Sequence, residues 1–271
     1  MRINQNIAAF NAFRNLSATN GMLGKSLEKL SSGYRINRAA DDAAGLVISQ
    51  SLRAQVSGLK VATRNAQDGV SVVQTAEGAL NEVHSMLNRM RDLAVQAANT
   101  GSTDATAAAA AQREIDALAA EITRVSTSTK FGSNTLLDGA FTKEFQIGSN
   151  AGEKITVSLG TSLNANALGV SGLGVASGAS ASTAITAIDA AISTVSTTRA
   201  SLGAFQNRFE SVINNLQVAS ENLSASESRI RDTDMASEMV NFTKHQILLQ
   251  AGTSMLSQAN QIPQSILRLL Q

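Results

Sequence analysis

The sequence predicts a mainly α protein whose long helices form a coiled coil and a helical bundle, with a small β-hairpin region in the middle of the chain. Three observations carry this. Proline occurs once in 271 residues, at Pro263, so almost nothing forces a helix to stop. Aromatic residues make up only 3%, while 43% of the chain is hydrophobic, so the buried material is Ala, Val, Ile and Leu, which suits close helix-to-helix contact. Apolar residues recur at heptad spacing through both terminal thirds and lose that period from about 129 to 180.

The elements follow in chain order. Ile3, Ile7 and Phe10 lie on one stripe of an amphipathic N-terminal segment, and Leu16, Leu23, Leu27 and Leu30 on another. Leu52, Val56, Leu59, Thr63, Ala66, Val70 and Val73 step by four and three, and Ala76, Leu80, Val83, Leu87, Met90, Ala94 and Ala97 continue the seam. Two successive steps of three at Val70–Val73–Ala76 read as a stammer, with Gly69 and Gly78 softening the helix on either side. Asn99 to Asp104 reads as a turn, with Asp104 capping a shorter helix whose face is Ile115, Leu118, Ile122 and Val125. In the middle, 145–148 and 154–159 alternate with period two around the turn 148–152, and 160–182 reads as a Gly/Ala/Ser-rich flexible connector. Ile188, Val195, Leu202, Phe209, Leu216, Leu223 and Ile230 then follow at intervals of seven, with Ala191, Thr198, Phe205, Val212, Ala219, Ser226 and Thr233 in the companion column. This seam spans roughly 70 Å at 1.5 Å per residue. The last segment, from Ile247 to Leu270, is apolar with little of its own to bury against, so it reads as a surface for a partner.

Composition excludes several classes. A net charge of +1 lacks the clustered positive excess that a nucleic-acid partner needs. With no cysteine and only His84 and His245, thiolate catalysis and a zinc centre have no ligands to draw on, so no cofactor and no metal are expected. Neither histidine has a nucleophile signature beside it, and the pairs Asp41–Asp42 and Asp232–Asp234 read as helix N-terminal acids rather than acid–base dyads, so the chain is not expected to be an enzyme. The glycines of 169–174 lack the strand, helix and lysine of a phosphate loop. No run approaches the ~20 apolar residues that span a bilayer, and the N-terminus lacks the apolar core of a secretory signal. Taken alone, these signals point to the cytoplasm.

Specific motifs overturn that location. The stretch 30–49 (LSSGYRINRAADDAAGLVIS) resembles the N-terminal signature of bacterial flagellins. The resemblance continues through 65–80 (NAQDGVSVVQTAEGAL), 87–96 (LNRMRDLAVQ), 205–209 (FQNRF), 225–240 (ASESRIRDTDMASEMV) and 247–252 (ILLQAG). It implies a secreted subunit of the extracellular flagellar filament, exported by a dedicated apparatus without a cleaved signal. It also implies long antiparallel helices, with 1–40 and 232–271 pairing as the filament-core coiled coil. Residues 41–231 would form the bundle, whose 129–180 segment faces outward.

The resemblance implies several partners: further copies of the chain, an export chaperone, the filament cap and the hook-associated proteins. Ile3, Ile7, Phe10, Leu16, Leu23, Leu256, Ile262, Ile266 and Leu270 are the expected polymerisation surface. Tyr34, Arg35 and Arg38 stand in a loop expected to touch neighbouring subunits. Carried over from the family motif, Arg89, Leu93 and Glu114 are the expected contacts for a Toll-like receptor of an animal host. A hook–filament junction protein is the alternative, because that family shares the terminal helices. A membrane-inserting translocator is disfavoured, since only Lys244 and Arg268 are basic after Arg231.

Overall fold

The computed structural model describes residues 5–101 and 104–269, with side chains as far as Gln261. The described chain runs through α1 (Ile7–Ser32), α2 (Ala43–Ala98), α3 (Ala105–Ser128), β1 (Lys130–Phe131), β2 (Asn134–Thr135), β3 (Phe141–Gln146), β4 (Lys154–Leu159), α4 (Gly178–Arg231) and α5 (Met235–Leu269). The 56 residues of α2 make a rod of about 84 Å. The chain divides into two compact units, one running up to Gln55 and resuming at Asn222, the other Val56–Glu221.

The second unit holds a three-helix core. Arg89 pairs with Glu114, Arg91 with Asp189 and Glu77 with Arg199, so α3 and α4 both run antiparallel to α2. Ile188, Val195, Leu202, Phe209 and Leu216 of α4 are buried at the seven-residue interval the sequence shows. On α2 the buried line is Ala62, Ala66, Gly69, Val73, Ala76, Leu80, Val83, Leu87, Met90, Ala94 and Ala97. This moves the expected stammer. Steps of four and three run unbroken from Ala62 to Ala97, and the two successive threes fall at Val56–Leu59–Ala62. Val70 is only half-buried, because Gly69 holds the seam position in its place. A Cβ on Gly69 would stand 2.6 Å from Cζ of Phe209, so the glycine admits a ring rather than softening the helix. Phe209 in turn meets Phe145 of β3 edge to face, with centroids 5.6 Å apart.

The middle of the chain is more ordered than its composition suggests. β3 begins at Phe141, four residues before the expected strand, and pairs antiparallel with β4 from Phe141↔Leu159 to Gln146↔Lys154. A second short hairpin, β1–β2, precedes it. The stretch expected to be a flexible connector instead packs on the bundle: Leu163, Ala165, Leu168, Val170 and Val175 are buried in the core. Its backbone is fastened from α3. Gln112 donates to the Leu173 carbonyl at 2.7 Å and accepts from the Val175 N–H at 2.8 Å. Ser126 of α3 likewise holds the loop before β3, donating to the Leu137 carbonyl at 2.9 Å. Asp104 caps α3 as expected, accepting from the Ala107 N–H.

Candidate self-association surface

The terminal unit is built on an antiparallel pair of helices. Along α1, Ala9, Ala12, Leu16, Thr19, Leu23, Ser26 and Leu30 are buried or half-buried at alternating steps of three and four. Along α5 the matching set is Glu238, Phe242, His245, Leu249, Gly252, Leu256 and Ala259. Three contacts fix the register and direction. Lys29 lies 3.9 Å from the Glu238 carboxylate, the Leu16 side chain sits 3.1 Å from where a Cβ on Gly252 would be, and Asn6 donates to the Ala259 carbonyl at 2.8 Å. Asn6 also caps α1 through the Ala9 N–H. Leu16, Leu23 and Leu256 therefore lie half-buried in the seam between the helices.

Each helix has a second apolar side that none of the described residues covers. Phe10 of α1 is 67% exposed and Val240 of α5 is 69% exposed. Ile7, Phe13, Met22 and Leu27 on α1, and Met235, Met239, Ile247, Leu248 and Met255 on α5, are exposed with them. At 100° per residue, Met235, Met239, Val240, Ile247, Leu248 and Met255 fall within about 220° of one side of α5, opposite the inner seam. Met239, Val240, Thr243, Lys244, Ile247 and Leu248 line a shallow, mainly apolar groove there. So much uncovered apolar side chain on one short pair of helices marks an interaction surface. Of the expected polymerisation residues, Ile7 and Phe10 stand on this outer side. Ile3 and Leu270, and the side chains of Ile262 and Ile266, lie outside what the structure describes. The sequence reading took the segment from Ile247 onward as a partner surface but did not single out Met235, Met239 and Val240, because α5 is apolar on both sides and its period does not say which side turns inward.

The two crossovers that close this pair are clamped together. Gly33 ends α1 at φ 74°, a conformation open to glycine, and its N–H donates to the Lys29 carbonyl. The Arg35 N–H donates to the Arg231 carbonyl at 2.7 Å, and the Thr233 N–H donates to the Gly33 carbonyl at 3.0 Å. Tyr34 lies under two guanidiniums, Arg231 at 4.5 Å and Arg53 at 5.9 Å from its ring centroid. Arg53 is held by Glu227 at 2.6 Å, and Arg38 by Glu28 at 2.9 Å. The acid pairs divide their work in a way the sequence did not show. Asp42 and Asp234 cap α2 and α5, accepting from the N–H groups of Gly45 and of Ala236 and Ser237. Asp41 instead holds the loop: the N–H of Arg38, with that of Asn37, draws its carboxyl below the ordinary value. Asp232 accepts from the Ser228 hydroxyl and caps no helix.

On the bundle, Arg89 and Glu114 are exposed and paired at 2.7 Å, while Leu93 is only 4% exposed and belongs to the core. His84 and His245 are half-buried, each with an Nδ1 that has no partner. Among the described residues, no three His, Cys, Asp or Glu side chains stand together as a metal site, and no helix is long and apolar enough to cross a membrane.

Comparison with known proteins agrees with this architecture. The bacterial flagellin N-terminal helical region matches residues 3–142, and the flagellin C-terminal helical region matches 185–270. Flagellin of Bacillus subtilis (strain 168) is 48% identical, over all of both chains. The crystal structure of Bacillus cereus flagellin superposes with a TM-score of 0.51 at 32% identity, covering 56% of this chain and 88% of that one. A putative flagellar hook-associated protein from Vibrio parahaemolyticus superposes with a TM-score of 0.59, covering 71% of this chain and all of the other. At 14% identity that likeness is one of fold.

Proposed function

From the premise that this chain belongs to the bacterial flagellin family, we propose that the outer sides of α1 and α5 are the surface through which it polymerises. The family makes it a structural protein, a self-assembling subunit of the extracellular flagellar filament, and not an enzyme. The observation that carries the proposal is the division of α5 into two apolar sides, one occupied by α1 and one left open among the described residues. A repeated contact that does not close on itself gives an open helical polymer. Ile7, Phe10 and Phe13 of α1 would pack with Val240, Ile247 and Leu248 of other copies, and Ile3, Ile262, Ile266 and Leu270 would extend the surface toward the chain ends. Leu16, Leu23 and Leu256 serve it indirectly, by holding the helix pair together.

In this reading, 1–40 with 232–271 form the filament core and 41–231 the bundle around it. The clamped loop carrying Tyr34, Arg35 and Arg38 sets the angle at which neighbouring subunits meet. Export through the dedicated apparatus, with a chaperone, and contact with the cap and hook-associated proteins belong to the same reading. So does recognition by a Toll-like receptor through Arg89 and Glu114, with Leu93 supporting the surface from beneath.

The test separates outer from inner positions. Val240→Glu with Ile247→Glu places two charges where a neighbour would cover apolar surface, at a loss of ~1.5–3 kcal/mol or more per position. Seeded polymerisation should stop while the thermal midpoint holds. Leu16→Glu should instead lower the midpoint by opening the α1–α5 seam. Long filaments from the double variant, seen by negative-stain electron microscopy, would refute the assignment. The junction-protein reading shares the fold, and is favoured instead if the wild-type chain with seeds gives only monomers or short oligomers.

A further inference from the structure

The chain has seven methionines, no cysteine, no tryptophan and one tyrosine, so thioethers are its only sulfur and its most readily oxidised side chains. They are not scattered. Of the six whose surroundings are described, Met90 is fully buried in the bundle core and Met86 packs against it. The other four all lie on the terminal helix pair and are exposed: Met22 on α1, and Met235, Met239 and Met255 on α5. Met239 lines the apolar groove with Val240, Ile247 and Leu248. In the bundle, methionine fills a core. On the terminal pair, it forms part of the face left open.

We propose that Met22, Met235, Met239 and Met255 are oxidation sites through which a hydroperoxide blocks self-association of the free subunit without unfolding it. The inference rests on the outer faces of α1 and α5 being the assembly surface. The thioether sulfur attacks the distal oxygen of the peroxide, the O–O bond breaks, and the proton passes to the departing oxygen. Methionine becomes the sulfoxide, losing two electrons, and hydrogen peroxide becomes water. The product is a polar, hydrogen-bond-accepting group in place of a flexible apolar one. On the free subunit it stays in water and costs the fold little, because none of the four sulfurs supports the core. In the polymer it must be covered by apolar surface of a neighbour, where an unpaired polar group is unfavourable. Subunits are therefore sensitive before assembly and shielded after it, and sulfoxide reduction restores them.

The experiment uses the full chain as monomer and as filament, each exposed to hydrogen peroxide, with peptide mass spectrometry at every methionine. In the monomer, Met22, Met235, Met239 and Met255 should oxidise at least tenfold faster than Met90. In the filament, those of α5 should be protected. Oxidised monomer should show a critical concentration for seeded polymerisation raised on the order of tenfold or more. Methionine sulfoxide reductase should reverse the rise, and the far-ultraviolet circular dichroism melt should stay unchanged. The variant M22L/M235L/M239L/M255L keeps the surface apolar, and its own critical concentration, whatever its starting value, should not rise on peroxide treatment; a rise as large as the wild type's would overturn the inference. Two failures are distinguishable. If the α5 methionines oxidise equally fast in filaments, the face is not covered and the assembly surface itself is wrong. If they are protected but oxidised monomer polymerises at the unchanged critical concentration, this inference fails and the assembly surface stands.

Discussion

Replacing Phe209 by alanine should cost more than any other single truncation on α4, and the cost should depend on Gly69. The Phe209 ring is fully buried, lies against the Gly69 backbone and meets Phe145 edge to face at 5.6 Å. Removing a ring at such a site costs about 3–5 kcal/mol, including the aromatic pair. For a unit the size of Val56–Glu221, with unfolding entropy near 0.35 kcal/mol/K, about 4 kcal/mol lowers the thermal midpoint by roughly 10 °C. Gly69→Ala gives the sharper half of the argument. Its Cβ would stand 2.6 Å from Phe209 Cζ, so the overpacking of about 1–3 kcal/mol outweighs the gain of about 1 kcal/mol in helix propensity. With Phe209 already truncated, the same methyl enters vacated space and the helix gain remains. The double-mutant cycle should thus return a favourable coupling of about 2 kcal/mol, read from urea titrations followed by circular dichroism at 222 nm. If Gly69→Ala costs the same in both backgrounds, Gly69 does not hold the seam position for the ring.

Two other outcomes follow from the crossover and the bundle. The Asp41 carboxyl is held below its ordinary value of 3.8 by the N–H groups of Arg38 and Asn37, so its contribution to the loop is present above that value and is lost as pH falls through the lower, folded one. A carbon-detected nuclear magnetic resonance titration should place the Asp41 midpoint below 3.8, and a midpoint at or above it would show the loop bonds do not form. On the bundle, Arg89→Ala removes one partner of an exposed ion pair, so it should leave the thermal midpoint within ~2 °C. It should also reduce activation of a Toll-like receptor reporter at least tenfold. Leu93→Ala should instead destabilise by about 2–5 kcal/mol, because the side chain is in the core. Full activation by the Arg89 variant would remove it from the recognition surface.

The helices were legible in the sequence because their code is local and repeats. One proline in the whole chain lets them run long, and the interval of seven from Ile188 to Leu216 names residues that the structure buries one after another. The signature stretches in both terminal thirds likewise identified the family without any coordinates. Three other features depended on which surface meets which. Gly69 has no side chain to register as hydrophobic, so the apolar pattern points to Val70, and only the Phe209 ring against Gly69 shows that the glycine holds the seam position. Leu163, Leu168 and Val170 are dispersed among small residues with no period, and only the underlying core, with Gln112 holding the backbone at Leu173 and Val175, makes them an ordered strap. Leu93 follows the exposed Arg91 and Asp92 in a charged motif, yet helix rotation turns it inward beside the buried Ala94.

The same limit governs the candidate surface. The sequence by itself determined that both ends of the chain are apolar and helical, and hence that they need partners. It did not determine which arc of α5 finds its partner within the chain. Both arcs are apolar and 100° per residue maps them equally well, so composition leaves them equivalent. The tertiary structure breaks that equivalence by seating Phe242, Leu249 and Leu256 against α1, with Gly252 admitting Leu16. Val240, Ile247 and Leu248 are then left outward. An antiparallel helix pair can cover only one side of each member, so the other side is left open among the described residues.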